Sequence, residues 1–215
     1  MKLKKENMLL YAVTDRSWEN KPQFGNLSLY EQVHAALRGG ATCVQLREKN
    51  LDFNSFLAEA ETICKLCRQF NVPFIVNDNV EIAMSCKADG IHVGQEDMAV
   101  KKLRTLVGDS MIIGVSAHNV NEAMKAQKDG ADYLGLGAVF STSTKTDVDN
   151  MSYDTLRAIC SAVNIPTVAI GGISKQTING LKGSGVDGVA VVSAIFASPD
   201  PEKSAKELRE LSEKL

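Results

Sequence analysis

Positively charged side chains follow a short apolar stretch early in the chain. The sequence CVQLREKN occupies residues 43–50, and its first half has the character of a buried β-strand. If the strand continues, Gln45, Arg47 and Lys49 share one face, because successive strand side chains point to opposite faces. The arginine fork and the lysine ammonium are suited to phosphate oxygens. The stretch therefore predicts a site for a phosphorylated ligand.

Charged residues of both signs follow other apolar stretches. Asp78 follows PFIV, Asp97 follows GIHV, and Lys145 follows the segment YLGLGAVFSTST. Carboxylates are the protein ligands that Mg²⁺ takes while it keeps phosphate and water as its other ligands. The cations and carboxylates together predict a metal-diphosphate site. The alternative is that these charges pair with one another as surface salt bridges, which contribute little.

Glycine and hydroxyl side chains form a second group. Gly172 follows the run PTVAI, Val192 and Ser193 follow GVAV, and the run Ser141–Thr144 precedes Lys145. Backbone amides in such glycine-rich turns bind phosphate groups, and hydroxyls are further donors. We therefore predict a second anion site, with ordinary turn formation as the alternative.

The elements that position these residues alternate regularly along the chain. Apolar runs of strand length recur at 8–13, 42–46, 73–76, 90–93, 111–116, 133–139, 166–171 and 188–192. Helical periodicity lies between them, and alternation of this kind predicts parallel strands joined by helical crossovers. The predicted fold is an α/β protein, a (β/α)8 TIM barrel forming a single domain over residues 1–215. An open doubly wound sheet is the alternative.

A weak internal repeat supports the count of eight strands. The segments LRGGATCVQL, CKADGIHVG, QKDGADYLGLG and GSGVDGVAVV precede the second, fourth, sixth and eighth strands. Each ends a helix in glycine-containing turn chemistry and enters a strand through a small or acidic residue. In a barrel of this type the active site lies at the C-terminal ends of the strands. All the polar residues named above follow strands and would meet there.

The overall composition restricts the partners. The chain is 44% hydrophobic with a formal net charge of −2, which provides no basic surface for nucleic acid. No stretch approaches the roughly 18 apolar residues of a membrane span, and the early run MLLYAV is too short for a signal peptide. We expect a cytoplasmic protein that binds small phosphorylated molecules. A homo-oligomer is compatible with the sequence.

Histidines and cysteines do not form a metal-binding pattern. The five cysteines include a C-x-x-C at Cys64 and Cys67, which lies in a helical stretch without a second ligand pair, so reduced buried thiols are predicted. The three histidines share no ligand spacing, and His118, after the fifth strand, is a candidate acid or base. Trp18 and Phe24 follow the first strand and form either a lid or packed loop residues.

These strand ends resemble those of the thiamine-phosphate synthase family. The matching segments run in order along nearly the whole chain: LYAVTDR, QLREK, VND, GIHVGQED, GVSAH, ADYLGLGAVFSTSTKT, AIGGI and VSAI. The resemblance implies an enzyme of thiamine biosynthesis that requires magnesium. Its expected reaction joins 4-amino-2-methyl-5-hydroxymethylpyrimidine diphosphate to 4-methyl-5-(2-phosphoethyl)thiazole and yields thiamine monophosphate and pyrophosphate.

The resemblance also assigns residues. Contacts to the pyrimidine diphosphate are implied for Gln45, Arg47, Lys49, Asn77, Ser116 and Lys145, of which Arg47, Lys49, Ser116 and Lys145 would act in catalysis. Magnesium would be held by Asp78 and Asp97. The thiazole phosphate would be held by Thr142, Ser143, Thr144, Gly172, Val192 and Ser193.

The implied mechanism is dissociative. The diphosphate leaves first, and the thiazole nitrogen captures the resulting pyrimidinylmethyl cation, so the protein needs charge stabilisation and no nucleophile. Ala138 and Ser141 depart from the family pattern, which has proline at both positions. Two rival functions are a TenI-type thiazole tautomerase and a non-catalytic sensor of thiamine or phosphate ligands. Leu46 and Glu48, on the other face of the opening stretch, are predicted to serve packing.

Overall fold

Eight parallel strands close into a barrel in the computed structural model, which describes residues 3–95, 98–141 and 150–215. The strands pair in sequence order, and β1 also pairs with β8, with Tyr11 opposite Ala190. This closure confirms the predicted barrel and excludes the open sheet. The strands are β1 (Leu10–Val13), β2 (Cys43–Leu46), β3 (Phe74–Asn77), β4 (Gly90–Val93), β5 (Ile112–Ala117), β6 (Tyr133–Leu136), β7 (Thr167–Ile170) and β8 (Gly188–Val191).

The ends of two strands determine where site residues lie. The sixth was expected to reach Val139 but ends at Leu136, because the chain then bends toward β7 and Val139 N donates to Ile170 O at 2.9 Å. The second ends at Leu46, so Arg47 and Lys49 lie in the following loop. Gln45 faces the pocket from the strand, and Arg47 and Lys49 line the same pocket from the loop.

Helices cover the outside of the barrel, most of them begun by a side chain that accepts a backbone N–H of the first turn. Ser28, for example, accepts from Glu31 N, and the Glu31 carboxylate accepts from Ser28 N in return. After β7 the described chain forms a 3-10 turn, Ile178–Leu181, in place of an α-helix. The helices are α1 (Leu29–Arg38), α2 (Phe53–Gln69), α3 (Val80–Ser85), α4 (Val100–Val107), α5 (Val120–Asp129), α6 (Tyr153–Ala162), α7 (Ser193–Phe196) and α8 (Pro201–Ser212).

The apolar residues form two layers separated by the barrel wall. The outer layer packs the helices against the strands and includes Val44 and Leu46, as predicted for Leu46. The inner layer fills the barrel with side chains that include Cys43, Tyr11 and Tyr133. Glycine makes room for the tyrosines, since a Cβ on Gly114 would lie 2.0 Å from the Tyr133 ring.

The internal repeat corresponds to a hydrogen bond that recurs four times at the N-terminal end of the barrel. In each copy, the side chain before an even-numbered strand accepts an N–H from the first or second residue of the preceding odd-numbered strand at 2.8 to 2.9 Å. The four acceptors are Thr42, Asp89, Asp132 and Asp187, and the donors are Leu10, Phe74, Ile113 and Thr167. The N–H of each acceptor residue also donates to the carbonyl of its partner. These paired bonds join each odd-numbered strand to the even-numbered strand that follows it, at the end of the barrel opposite the predicted site.

Several side chains whose role the sequence left undecided are packed in the structure. Trp18 packs against the outer core and makes an edge contact with Phe24, with ring centroids 6.5 Å apart, which supports packed loop residues and not a lid. Cys64 and Cys67 are buried free thiols in α2, as predicted. Within the described ranges, no helix combines the length and apolar character needed to cross a membrane.

Candidate active site

A pocket opens on the barrel axis at the C-terminal ends of the strands, and all eight strands contribute to its lining. It brings together every predicted site residue that lies in the described ranges. These are Gln45, Arg47, Lys49, Asn77, Asp78, Ser116, Gly172, Val192 and Ser193. The remaining predicted residues, Asp97, Thr142, Ser143, Thr144 and Lys145, lie outside the described residues.

The loop after β2 carries the two cations of the pocket. Arg47 N donates to the buried Thr14 hydroxyl at 3.0 Å, which fixes the start of the loop against β1. The Arg47 guanidinium forms a long ion pair with the Asp15 carboxylate at 3.8 Å, and Arg47 lines the pocket. Lys49 lines the pocket and also a shallower groove that continues toward α3.

Glu48, between the two cations, folds the loop. One carboxylate oxygen accepts from Lys49 N at 2.8 Å and Asn50 N at 2.9 Å, and the other accepts from Arg16 Nε at 2.7 Å. Burial opposes ionisation of Glu48, but these donors outweigh it and lower its pKa. The buried position of Glu48 agrees with the prediction that it serves packing.

Arg16 joins the first loop of the barrel to the second. Its guanidinium also contacts Glu19 at 2.6 Å and Glu59 of α2 at 2.6 Å. Burial raises the pKa of Glu59 in spite of this contact, while the surrounding carboxylates raise the pKa of Arg16 above its ordinary value despite its burial. Arg16 therefore stays charged and holds the loop that carries Arg47 and Lys49.

The turn after β3 presents a carboxylate to the same pocket. Asp78 has φ of 59°, a left-handed conformation that is uncommon outside glycine, and Asp78 N donates to His92 O at 2.8 Å. The Asn77 side-chain amide donates to the exposed Asp78 carboxylate. The short polar side chain of aspartate tolerates this conformation, which places Asp78 in the lining of the pocket.

The fit of a magnesium ion depends on this carboxylate. Among the residues that the structure describes, no three histidine, cysteine, aspartate or glutamate side chains cluster as a metal site. Mg²⁺ needs fewer, because it usually takes one or two carboxylates and completes its shell with substrate phosphate and water. Asp78, beside Arg47 and Lys49 in the pocket, fits that pattern.

On the floor of the pocket, the predicted residues Gln45 and Ser116 are joined by three buried polar side chains that the sequence did not predict, Tyr11, Tyr133 and His92. Gln45 Nε2 donates to Tyr11 Oη at 2.7 Å, and Tyr11 Oη lies 2.7 Å from Tyr133 Oη. His92 then links the tyrosines to Ser116, with Nδ1 3.0 Å from Tyr133 Oη and Nε2 3.0 Å from Ser116 Oγ. The one signal in the sequence was that His92 in β4 and the predicted Ser116 in β5 both occupy pocket-facing positions of neighbouring strands.

The opposite wall is formed by backbone from the loops after β7 and β8. Gly171 and Gly172 have positive φ, and a Cβ on Gly172 would lie 2.4 Å from Ser141 O. Val192 and Ser193 line the pocket where β8 passes directly into α7. Glycine is therefore required at Gly172, and it lets the backbone reach the pocket.

The segment with Ala138 and Ser141 in place of the expected prolines is held by hydrogen bonds. Phe140 N donates to Gly171 O at 3.1 Å, Met151 N donates to Ala138 O at 2.6 Å, and Ser141 Oγ accepts from the Asn150 amide at 3.1 Å. The described part of this segment is thus tied to β7 without the proline rings.

The remaining histidines are placed differently. His118 lines the pocket rim, and the Glu122 carboxylate accepts from His118 N at 2.8 Å and lies 3.0 Å from Nδ1. Its use as an acid or base stays a prediction. His34 lies in α1 and stacks on Tyr30, away from the pocket.

Comparison with known proteins supports the resemblance found in the sequence. Residues 10–195 match the family model described as thiamine monophosphate synthase. The chain is 45% identical over 206 residues to a thiamine-phosphate synthase of Clostridium botulinum (strain Eklund 17B / Type B), covering 96% of this chain and 94% of that protein. It is 44% identical to a thiamine-phosphate synthase of Clostridium tetani (strain Massachusetts / E88), covering 93% of both.

A solved structure agrees with these sequence matches. Thiamine phosphate pyrophosphorylase from Pyrococcus furiosus superimposes with a TM-score of 0.88 at 37% identity, covering 97% of each chain. Sequence and fold match over nearly the full length, and the predicted site residues that the structure describes line one pocket. The chain therefore belongs to the thiamine monophosphate synthase family.

Proposed function

We propose that the protein is a thiamine-phosphate synthase, a transferase that acts on two phosphorylated small molecules. It joins 4-amino-2-methyl-5-hydroxymethylpyrimidine diphosphate to 4-methyl-5-(2-phosphoethyl)thiazole and releases thiamine monophosphate and pyrophosphate. The observation that carries the proposal is a single pocket with two walls. Arg47 and Lys49 line one wall, and the backbone of the loops after β7 and β8 lines the other, where its N–H groups can bind a phosphate. Two anionic substrates can then meet on the barrel axis.

The cationic wall takes the diphosphate. Arg47 and Lys49 face the pocket from a loop fixed by Thr14, Glu48 and Arg16, so their charges are in place before substrate binds. As the bond to the diphosphate breaks, negative charge grows on the leaving oxygens. Preoriented donors stabilise that charge more than they stabilise the ground state, which lowers the barrier to departure. Lys145 is proposed to act with them, and Asn77 to orient the substrate.

Magnesium is the cofactor that this proposal includes. Asp78 and Asp97 would hold the ion, which when bound neutralises diphosphate charge and assists its departure. Asp78 fits this assignment because its turn sets the carboxylate at the edge of the pocket, next to Asn77 and Lys49.

The second wall takes the thiazole phosphate. The N–H groups of the turn at Gly172 and of Val192 and Ser193 can approach a phosphate closely, and Thr142, Ser143 and Thr144 are proposed as further donors. Fixing the phosphate orients the thiazole nitrogen toward the pyrimidine carbon that loses the diphosphate. Such positioning reduces the entropic cost of joining two molecules. Gln45 and Ser116, on the floor between the walls, are proposed to contact the pyrimidine.

A product assay tests the proposal. Purified protein is incubated with magnesium and both substrates, and thiamine monophosphate and pyrophosphate are quantified. We expect equal amounts of both products and no thiamine monophosphate when either substrate is omitted. Correctly folded protein that forms no thiamine monophosphate would contradict the proposal. A thiazole tautomerase would instead isomerise a thiazole carboxylate phosphate without the pyrimidine substrate, and a sensor would bind ligand without turnover.

A further inference from the structure

The glycine turn after β7 is held from behind by one hydroxyl group. Thr177 Oγ1 lies 2.9 Å from Gly172 O and accepts from Ser174 N at 2.9 Å. A carbonyl oxygen only accepts, so an approach of 2.9 Å between these two oxygens requires the Thr177 hydrogen to lie between them. The carbonyl of Ser174 is farther from Thr177 Oγ1, at 3.4 Å, and the Ser174 hydroxyl at 3.3 Å has a hydrogen of its own to donate. The direction of the bond from Thr177 to Gly172 is therefore fixed.

This bond also sets the direction of the next backbone N–H. The peptide unit that joins Gly172 to Ile173 is trans, so its carbonyl and its N–H point in opposite directions. Gly172 and Ile173 line the pocket, and Thr177 does not. The peptide unit thus lies between Thr177 and the pocket. A carbonyl that is held toward Thr177 turns the Ile173 N–H toward the pocket.

The N–H groups of this turn have no acceptor within the described part of the protein. No residue in the described ranges accepts from Gly172 N or Ile173 N, and Ile173 is only 5% exposed. Buried backbone N–H groups are nearly always paired with protein, water or a ligand. At the wall already proposed for the thiazole phosphate, a phosphate oxygen fits them, because it accepts several N–H groups at once.

We propose that Thr177 is a positioning residue that turns the Ile173 N–H toward the pocket and so adds a hydrogen-bond donor for the phosphate of the thiazole substrate. Glycine at position 172 restrains the peptide unit little, so the Thr177 hydroxyl supplies the restraint. Thr177 acts only through the backbone, since it does not line the pocket. The inference rests on the proposed function for the identity of the phosphorylated ligand.

Amide NMR tests the new donor directly. Protein labelled with ¹⁵N-isoleucine is titrated with 4-methyl-5-(2-phosphoethyl)thiazole, with magnesium and pyrophosphate present, and the Ile173 signal is identified by its loss in Ile173→Val. We expect the Ile173 amide proton to move downfield, as a proton does when it donates to an anionic oxygen. The unphosphorylated thiazole alcohol should leave it in place. An Ile173 signal that does not move with the thiazole phosphate would overturn the inference. This measurement needs neither turnover nor a Thr177 variant.

Kinetics of Thr177→Val test the role of the hydroxyl. Valine keeps the shape of the side chain and removes the donor, so the Gly172 carbonyl loses its bond and the Ile173 N–H loses its fixed direction. We expect the KM for the thiazole phosphate to rise about tenfold, with kcat and the KM for the pyrimidine diphosphate within about twofold of their original values. Thr177→Ser keeps the hydroxyl and should retain the original KM for the thiazole phosphate.

The control is Thr105→Val, which removes a hydroxyl that donates to Lys101 O at 3.0 Å on the exposed face of α4 and should leave both KM values unchanged. Equal rises in both KM values for Thr177→Val, or a rise that Thr177→Ser shares, would indicate a general structural role and refute the inference. Wild-type protein that makes thiamine monophosphate without a shift of the Ile173 signal would refute the inference alone. Wild-type protein that shows this shift but makes no thiamine monophosphate would refute the proposed function alone.

Discussion

At the scale of single residues, the pocket depends on backbone that approaches closely at Gly172. This residue has φ of 62°, and its missing side chain leaves room for Ser141 O and Phe140. The GG pair was predicted from sequence as part of an anion site. Its need for glycine could not be predicted, because the crowding comes from the loop after β6, about one strand away in the barrel.

Gly172→Ala should therefore damage the thiazole phosphate wall. The added Cβ would lie 2.4 Å from Ser141 O and 2.8 Å from Phe140 Cβ, so the loop must shift. We expect the KM for the thiazole phosphate to rise at least about tenfold, in line with the loss of a charged hydrogen bond.

Gly108→Ala is the matched control, because Gly108 has φ of 68° and no atom within 4 Å of an added Cβ. Its ψ of −169° places it in a region that almost only glycine adopts, so this substitution should cost roughly 1–3 kcal/mol of unfolding free energy and have no kinetic effect. Equal KM values for the Gly172 variant and this control would show that Gly172 does not shape the phosphate site.

At the scale of elements, the loop after β2 is the unit that places positive charge. The sequence left open whether the strand continues beyond Leu46, and β2 ends there. The direction of Arg47 and Lys49 is set by Glu48, whose carboxylate binds Lys49 N, Asn50 N and Arg16. Contacts between residues 32 positions apart depend on the pairing of β1 with β2, so periodicity alone could not reveal the Arg16–Glu48 contact.

Glu48→Gln should destabilise the protein in a pH-dependent way. The amide loses the ion pair with Arg16, and we expect a decrease of about 1–3 kcal/mol in unfolding free energy at pH 7 by urea denaturation. The pKa of Glu48 is lower in the folded protein than its ordinary 4.5. Its carboxylate therefore contributes fully above that value, and the contribution is lost as the pH falls through the lowered folded pKa.

The difference in unfolding free energy between the Glu48 variant and the original protein should accordingly begin to decrease below about pH 4.5 and vanish below the lowered folded pKa. Glu61→Gln, at an exposed position of the same helix that carries Glu59, is the control and should show no such difference at any pH. A constant gap between pH 7 and pH 3 would mean that the Glu48 charge is unimportant. Turnover by the Glu48→Gln variant should fall less than turnover by Arg47→Ala.

At the scale of the whole molecule, the barrel separates stability from chemistry at its two ends. The polar pocket lies at the C-terminal ends of the strands, and the four repeated side-chain bonds lie at the N-terminal ends. The sequence predicted the strands, their order and a repeated entry to even strands through a small or acidic residue. It could not predict what Thr42, Asp89, Asp132 and Asp187 bind, or the link from Tyr133 to His92, because both depend on strand neighbours in the closed barrel.

Asp89→Ala should reduce stability without reducing turnover. The substitution leaves Phe74 N without the acceptor 2.9 Å away, and we expect a loss of about 1–3 kcal/mol in unfolding free energy. The kcat at a temperature where the variant is folded should match the original. Asp109→Ala, in an exposed turn after α4, should change neither quantity. A large fall in kcat for the folded Asp89 variant would contradict this separation of the two ends.

If the pocket of Arg47 and Lys49 carries out the synthase reaction, Arg47→Ala should form thiamine monophosphate slowly. The measurement is the rate of product formation with both substrates and magnesium saturating, and Arg157→Ala on the exposed face of α6 is the control. We expect turnover at least about a hundredfold slower for the Arg47 variant, the usual effect of losing one transition-state donor, and an unchanged rate for the control. Turnover by Arg47→Ala at the original rate would contradict a catalytic role of this pocket.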